Sequence, residues 1–428
     1  MNLKEFRAPE VYLNLNVRGM GQSATLAINE RSRQMLAQGK QVYRLGLGQS
    51  PFPVPAVVRD SLADNAHQKD YLSVMGLEAL RTAVTAWVKR TEGLEYLPEN
   101  VLVGPGTKEL MFLIQLVYYG DLVIPSPSWV SYAPQARIIG RHIHWLRTRP
   151  EAGLGVEPDA LEELCSQDPE RPRLLILNSP SNPTGHCYNH EQLLELVKVL
   201  RRYRVLVLSD EIYSATHYTG EHESLARYYP EGTIISNGLS KWCGAGGWRL
   251  GFFIFPQNLA WLAAAMAAVA SETFTSTSAP IQYAAVTALQ DTPQMQDYLL
   301  HSRQVLAALA EHAYSTLSVA GAALRPAQGG FYLFPQFEAH RAALEQRGIN
   351  DGATLCERLL EETGVATLPG ECFGRPAQEL SLRLAIVDFD GALALERAAQ
   401  EDVNEAFVKR YCPNVTDAIE RMAAWVSQ

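Results

Sequence analysis

Short runs of apolar residues alternate with longer, helix-length segments from residue 101 onward. The runs 101–103, 122–124, 174–177 and 205–208 are each followed by turn residues. Continuous apolar strands of this kind suit a parallel sheet that is covered on both faces. The pattern predicts an α/β fold, in which ligands bind beyond the carboxyl ends of the strands.

The stretch 236–251 joins two apolar runs through a glycine-rich loop, with Lys241 near its start and Arg249 eight residues later. A lysine that is desolvated between two buried strands becomes a nucleophilic amine, and an arginine can hold a phosphate with two hydrogen bonds. The pair indicates a Schiff-base lysine with a phosphate anchor, which is what a pyridoxal phosphate (PLP) enzyme needs. A lysine in a flexible surface loop is the alternative for this motif alone.

Polar residues also follow other predicted strands. Residues 104–107, Gly-Pro-Gly-Thr, lead into a helix and can offer free amides to a phosphate. In the turn-rich loop 178–185, the proline after Asn182 keeps this residue out of the helical region, so its amide can project into a site. Asp210 and Tyr213 follow another apolar run, where a carboxylate needs a cation or donor. A helix cap or a structural ion pair is the alternative for Asp210.

Two further side chains have two interpretations each. Trp129 lies just beyond a predicted strand and can either stack on a planar ligand or pack in the core. Arg383 lies inside the apolar run 381–387 and therefore needs an anion. That anion is either an acidic residue of the fold or the carboxylate of a substrate.

Helix ends are signalled by capping residues. Ser23 is predicted to cap a helix over 24–38, and Thr292, followed by a proline, a helix over 293–317. A further helix is expected over 190–202.

The composition excludes several classes of protein. With 37 basic and 46 acidic residues the net charge is −9, and the basic residues are not clustered, which argues against nucleic acid or an anionic membrane as partner. The six cysteines form no CxxC pair, so neither a disulfide framework nor a metal site is expected. The first residues lack the apolar core of a signal peptide, and a cytoplasmic location is expected.

In their order and spacing, these motifs resemble the class I aminotransferases, PLP enzymes of the aspartate aminotransferase fold. The resemblance runs from about residue 20 onward and rests on 178–185, 210–213 and Lys241 with Arg249. The run 129–132 is similar to that of the bacterial aspartate and prephenate aminotransferases.

The resemblance implies fold type I, an α/β fold with a mostly parallel seven-stranded sheet and a smaller α/β domain built from both chain ends. The implied divisions are an N-terminal arm (1–22), a small domain (23–50 and 321–428) and a large PLP-binding domain (51–320).

The resemblance also implies roles for single residues at the cofactor ring. Lys241 matches the Schiff-base lysine, which later moves the proton. Asp210 matches the carboxylate that faces the pyridine nitrogen. Tyr213 and Asn182 match the donors to the phenolic oxygen, and Trp129 matches the aromatic residue on the ring.

At the phosphate, Gly106, Thr107 and Lys108 match the binding turn and Arg249 its guanidinium anchor. Many relatives have a serine three residues before the lysine, where this chain has a glycine; Ser240 is the candidate substitute.

For the substrate, Arg383 matches the residue that binds the α-carboxylate, and Gly48 the glycine beside it, with Asn182 and Trp129 also in contact. Tyr71 matches a tyrosine that reaches the phosphate of the neighbouring subunit, which implies a homodimer with shared active sites. The resemblance further suggests cis peptide bonds before the prolines at 127 and 183.

The resulting prediction is a ping-pong transamination between an amino acid and a 2-oxo acid, with Lys241 as general base. The loop 242–246 is unlike that of the subgroup, so a β-lyase, cyclase or oxidase remains the alternative. A catalytically silent binding or regulatory protein is a third possibility. Recognition of a second substrate carboxylate would need another cation, for which Arg18 and Lys108 are candidates.

Overall fold

The computed structural model of the chain describes residues 12–21 and 24–428. Most of the predicted arm, and the predicted cap Ser23, lie outside the described residues. The strands are β1 (Tyr43–Arg44), β2 (Val101–Gly104), β3 (Asp121–Ser126), β4 (Ile143–Arg147), β5 (Arg173–Asn178), β6 (Leu206–Asp210), β7 (Thr233–Gly238), β8 (Gly251–Ile254), β9 (Tyr332–Leu333), β10 (Val365–Ala366), β11 (Leu368–Pro369) and β12 (Leu382–Ala385).

The helices are α1 (Ala24–Ala37), α2 (Ala56–Asp64), α3 (Glu78–Glu92), α4 (Thr107–Val117), α5 (Tyr132–Ile138), α6 (Pro158–Ser166), α7 (His190–Arg202), α8 (Ala260–Thr273), α9 (Ala279–Ala288), α10 (Pro293–Val319), α11 (Arg341–Gln346), α12 (Gly352–Thr363), α13 (Gly391–Ala398), α14 (Glu405–Tyr411) and α15 (Pro413–Val426). Within residues 12–21 and 24–428, none of them combines the length and apolar character that a membrane span requires.

The central sheet has seven strands in the order β2-β8-β7-β6-β5-β3-β4. Strand β8 runs antiparallel to both of its neighbours, and the other adjacent strands pair in parallel. This confirms the predicted mostly parallel seven-stranded sheet. Because β2 runs in the same direction as the parallel strands, its carboxyl end lies at the same edge as theirs.

Both faces of this sheet are buried, as the apolar runs predicted. Along β5, Ile176 belongs to one hydrophobic cluster, while Leu175 and Leu177 belong to another. Along β6, Leu208 and Val207 divide between the same two clusters. Side chains alternate across a strand, so helices must cover both faces.

A further hydrophobic cluster draws on both chain ends. It joins Tyr43 and Leu45 to helices α10 and α12 and to the last helix, α15. Two small sheets accompany it, β1 with β10 and β11-β12-β9. The division into a small and a large domain stays a prediction.

The peptide bonds before two prolines correct one prediction. The bond Ser126–Pro127 is cis, as expected, but the second cis bond precedes Pro180 rather than Pro183. Loop 178–185 offers two X–Pro bonds that can adopt this form. The cis form occurs directly where strand β5 ends.

Candidate active site

A cavity of about 540 Å³ lies beyond the carboxyl ends of the central strands. Most of the predicted site residues line it: Gly48, Thr107, Lys108, Trp129, Asn182, Asp210, Tyr213, Ser240, Lys241 and Arg249. Gly106 and Arg383 lie behind this lining, and Tyr71 is 89% exposed on the surface. The sheet edge brings together turns that are far apart in sequence.

Lys241 follows the end of strand β7 and extends into this cavity. Its Nζ donates a hydrogen bond to the carbonyl of Gly48 at 2.7 Å. It lies 5.7 Å from the centre of the Tyr213 ring and 5.8 Å from that of Phe331. A side chain at Gly48 would collide with the hydroxyl of Tyr332, so only glycine fits beside the amine.

Asp210 ends strand β6 and is the single acidic residue among the described residues that line the cavity. Burial raises the pKa of Asp210 to about 6, while the hydroxyl of Tyr132, which donates to its Oδ2, opposes this rise. Asn178 Nδ2 donates to the Asp210 carbonyl at 2.8 Å and helps to hold the backbone. No basic residue forms an ion pair with Asp210 in the described part of the chain, so the ion-pair alternative is not observed.

The turn before helix α4 and Arg249 form one cradle. Gly106 has φ 91°, and a Cβ there would lie 2.3 Å from the guanidinium of Arg249. Arg249 itself has φ 56° and donates to the carbonyls of Gly246 and Pro105. The amide of Thr107 lies at the first turn of the helix, where N–H groups are free to bind an anion.

Lys108 lies beside this cradle, with its Nζ 5.2 Å from the centre of the Trp129 ring. Partial desolvation, and then the charges of Arg249 and Lys241, lower the pKa of Lys108. The other predicted cation, Arg18, lines an adjoining cavity of about 760 Å³, to which Lys108 also contributes.

Arg383 in strand β12 is fully buried between the rings of Tyr332 and Phe373, at 4.6 and 4.9 Å. It donates to Asn182 Oδ1 at 3.1 Å and to the carbonyl of Gly46. Its Nε has no partner, and no acidic residue of the described chain pairs with it. A buried guanidinium without an anion is suited to a carboxylate that arrives from outside.

The unusual glycine-rich loop has a structural explanation. A Cβ at Gly238 would lie 2.7 Å from the carbonyl of Leu250, so a serine does not fit there, and Ser240 lines the cavity instead. Trp242 is buried and stacks on Trp87, in the core rather than in the cavity. The bulky side chain of Trp242, in the loop that is unlike that of the subgroup, therefore faces away from the site.

Sequence reasoning missed several contributors. Tyr132 and Asn178 lay inside the quoted motifs, but nothing local indicated that both would contact Asp210. Tyr332 donates to or accepts from the Tyr213 hydroxyl at 3.0 Å. Helix α1 adds Arg33 to the cavity wall, which no motif signalled.

Comparison with known proteins agrees with this geometry. The family model for aminotransferases of class I and II matches residues 40–390. The aspartate aminotransferase of Bacillus sp. (strain YM-2) is 33% identical over 84% of this chain and 92% of the relative. The aspartate/prephenate aminotransferase of Cereibacter sphaeroides is 31% identical over 82% of this chain and 89% of the relative.

Among solved structures, the aspartate aminotransferase from Thermus thermophilus with maleate superposes with a TM-score of 0.80. It is 29% identical, and the match covers 91% of this chain and 98% of that one. The chain therefore belongs to the class I and II aminotransferase family, and it is an aminotransferase.

Proposed function

We propose that this aminotransferase uses PLP, acts as a homodimer, and transfers the amino group of a dicarboxylic amino acid, aspartate first, to a 2-oxo acid. The observation that carries the proposal is the cavity itself. The cavity wall carries the amine of Lys241, the carboxylate of Asp210 and further cations. Behind this wall lies the guanidinium of Arg383, which has no acidic partner among the described residues.

The residues present fit PLP. Lys241 would bind it covalently, Asp210 would face the pyridine nitrogen, and Arg249 with the amide of Thr107 would hold its phosphate. The φ of Gly106 and its contact with Arg249 support the phosphate assignment, since only glycine leaves this space. When bound, PLP supplies a ring that accepts electrons from the substrate's α-carbon.

Around that ring, Trp129 would cover one face, and Tyr213 and Asn182 would donate to the phenolic oxygen. Burial raises the pKa of Tyr213 well above its ordinary value, so its hydroxyl stays protonated and able to donate. Ser240 supplies a hydroxyl from the cavity wall.

For the substrate, Arg383 would bind the α-carboxylate beside Gly48, because it is buried, stacked on Tyr332 and without an acidic partner among the described residues. This orientation brings the α-proton towards Lys241, whose free amine acts as general base and then returns the proton. The carbonyl of Gly48 accepts a hydrogen bond from the Lys241 amine and so holds that amine at the cavity wall.

Two observations support a dicarboxylic substrate. Relatives that cover most of the chain are named for aspartate, and the Thermus structure contains maleate, which is a dicarboxylate. Lys108 lines the same cavity, has no acidic partner among the described residues, and is the candidate for the distal carboxylate. For the dimer, Tyr71 is exposed on the surface and available to a neighbouring subunit.

The test is an absorption titration of the holoenzyme with aspartate, without any 2-oxo acid. We expect the long-wavelength band of the bound cofactor to disappear and a 2-oxo acid to restore it. The variant K241A should show neither change, while K69A, which removes an exposed lysine, should behave as the parent protein. Product accumulation while the band persists would instead support the β-lyase, cyclase or oxidase alternative.

A further inference from the structure

Tyr332 is a buried tyrosine to which the proposed function gives no task. It belongs to strand β9, is 1% exposed, and does not line the active-site cavity. A buried tyrosine hydroxyl needs a hydrogen-bond partner. Its one partner among the described residues is the hydroxyl of Tyr213, at 3.0 Å. The two rings meet at 80°, with their centres 5.6 Å apart.

The pair of hydroxyls is held by the surrounding backbone and by a third ring. The amide of Gly330, just before strand β9, donates to the carbonyl of Thr216 at 3.2 Å. This bond joins the segment that carries Tyr332 to the turn that follows Tyr213. The ring of Phe331 meets the Tyr213 ring edge-on, with the centres 5.4 Å apart. The distance between the two hydroxyls is therefore set by the fold rather than by freely rotating side chains.

The ring of Tyr332 has a separate contact. In the antiparallel pair of strands β9 and β12, Tyr332 lies opposite Ala385. Arg383, two positions before Ala385, is on the same face, and its guanidinium lies 4.6 Å from the centre of the Tyr332 ring. The ring thus supports the guanidinium, while the hydroxyl contacts Tyr213. A substitution by phenylalanine separates these two contributions, because it removes the hydroxyl and keeps the ring.

The direction of the hydrogen bond between the two hydroxyls depends on what else they bind. Either oxygen can be the donor in the structure as it stands. A hydroxyl carries one proton. Under the proposed function, Tyr213 gives its proton to the phenolic oxygen of the cofactor, so its own oxygen can only accept from Tyr332. A tyrosine that accepts a hydrogen bond becomes a stronger donor, because hydrogen bonds in a chain polarise one another.

We infer that Tyr332 is a positioning residue, which donates a hydrogen bond to Tyr213 and thereby orients and strengthens the donor that faces the cofactor's phenolic oxygen. This inference rests on the proposed use of PLP. Tyr332 touches neither the substrate nor the cofactor in this role, since it lies behind the cavity wall.

The test is a pH titration of the absorption band of the bound cofactor, in the holoenzyme without any amino acid. A donor to the phenolic oxygen stabilises its ionised form and so lowers the apparent pKa of the absorption change. We expect Y332F to raise this pKa by about 0.3–0.5 unit, a fraction of one net hydrogen bond. In the background of Y213F, Y332F should add no further shift, because its effect passes through Tyr213.

Two further variants separate the hydroxyl from the ring and from burial in general. Y332L removes the ring beside Arg383 and should raise the Kd of maleate, measured by calorimetry, about fivefold, the size of a cation–π contact. Y332F should leave that Kd unchanged. Y298F is the matched control, since Tyr298 is buried in the same hydrophobic cluster and its hydroxyl has no partner among the described residues. It should change neither quantity.

The outcomes that would overturn the inference are distinct from failure of the proposed cofactor. An unchanged pKa in Y332F, or the same shift in the Y213F background, would show that Tyr332 does not act through Tyr213, while the use of PLP stands. An equal shift in Y298F would show a general effect of a lost buried hydroxyl. If the parent protein has no absorption band of a bound cofactor, the PLP proposal fails, and the role of Tyr332 fails with it.

Discussion

Asp210 and Glu211 are consecutive carboxylates at the end of one buried strand, yet they belong to different surroundings. Asp210 faces the cavity, where cations outnumber it and where no basic side chain of the described residues pairs with it. Glu211 accepts hydrogen bonds from the hydroxyls of Ser209 and Ser224 at 2.8 and 2.6 Å. Neighbours in sequence thus point to opposite sides of the strand, as side chains in extended backbone do.

The surroundings of Glu211 are balanced in charge. His222 lies 3.5 Å from it, and Glu92 forms an ion pair with Arg227 at 3.0 Å. Burial lowers the pKa of His222, but its contact with Glu211 outweighs this effect and raises the pKa overall. Two acids therefore face two bases, and His222 Nε2 has no closer hydrogen-bond partner among the described residues.

The contrast between the surroundings of Asp210 and Glu211 distinguishes a binding site from a structural network. Charged groups are buried at a cost unless they are paired. Where the protein supplies the donors, as the hydroxyls of Ser209 and Ser224 do for Glu211, the charged group serves the fold. Where no acidic partner is present among the described residues, as for Arg383 and Lys108, the charge is left for a ligand.

The largest expected contrast comes from D210N and E211Q. Each variant replaces one of the two carboxylates by its amide. D210N should lower kcat about a hundredfold or more, because it removes a preorganised charge at the reacting group. It should leave the free energy of unfolding nearly unchanged. E211Q should lower that free energy by about 1–3 kcal/mol, because two hydroxyls and a histidine lose their acceptor charge, and should leave most of the activity.

Steady-state kinetics and urea denaturation measure the two effects. If E211Q loses as much activity as D210N, both carboxylates serve the chemistry, and the assignment of Glu211 to the fold alone is wrong.

An effect of intermediate size, on the pH dependence of stability, is expected from the variant E92Q. Burial, partly offset by His222 and Arg227, raises the pKa of Glu92 from 4.5 to about 7. Because the folded pKa exceeds the unfolded one, this group stabilises the fold below pH 4.5 and loses that contribution as the pH rises to about 7. E92Q stays neutral and should remove about 2 kcal/mol of this pH dependence, allowing for residual titration of its neighbours.

Unfolding by urea at a series of pH values measures this slope. E99Q, which changes an exposed carboxylate that forms no ion pair among the described residues, serves as control. An unchanged slope in E92Q would show that Glu92 titrates in the folded protein as it does in the unfolded chain.

The smallest effect is expected from Y132F, which removes the hydroxyl that donates to Asp210. Loss of this hydrogen bond raises the pKa of Asp210 further, so less of it is ionised near neutral pH. We expect kcat/KM to fall about fivefold at pH 7, the size of one net hydrogen bond, and to recover at higher pH. The acid limb of the pH–rate profile should shift upward, whereas Y119F, at an exposed tyrosine, should leave it in place.

Local signals in the sequence predicted the elements and the turns that carry the site. Helix α7 has the predicted bounds, and Thr292 caps helix α10 by accepting a hydrogen bond from the amide of Met295. Strand β4 was missed, since its residues at the sheet edge form no continuous apolar run. Caps and apolar runs depend on residues a few positions apart, which a sequence displays directly.

The partners of the site residues depended on the tertiary structure. Tyr132 meets Asp210 across 78 positions, and Arg383 meets Asn182 across 201. The sequence determined by itself that a lysine, a carboxylate and Arg249 follow strand ends in an α/β chain and that Arg383 lies within an apolar strand. Only the packed fold decided which charges are paired and which await a ligand, because pairing depends on distances between elements that no local pattern encodes.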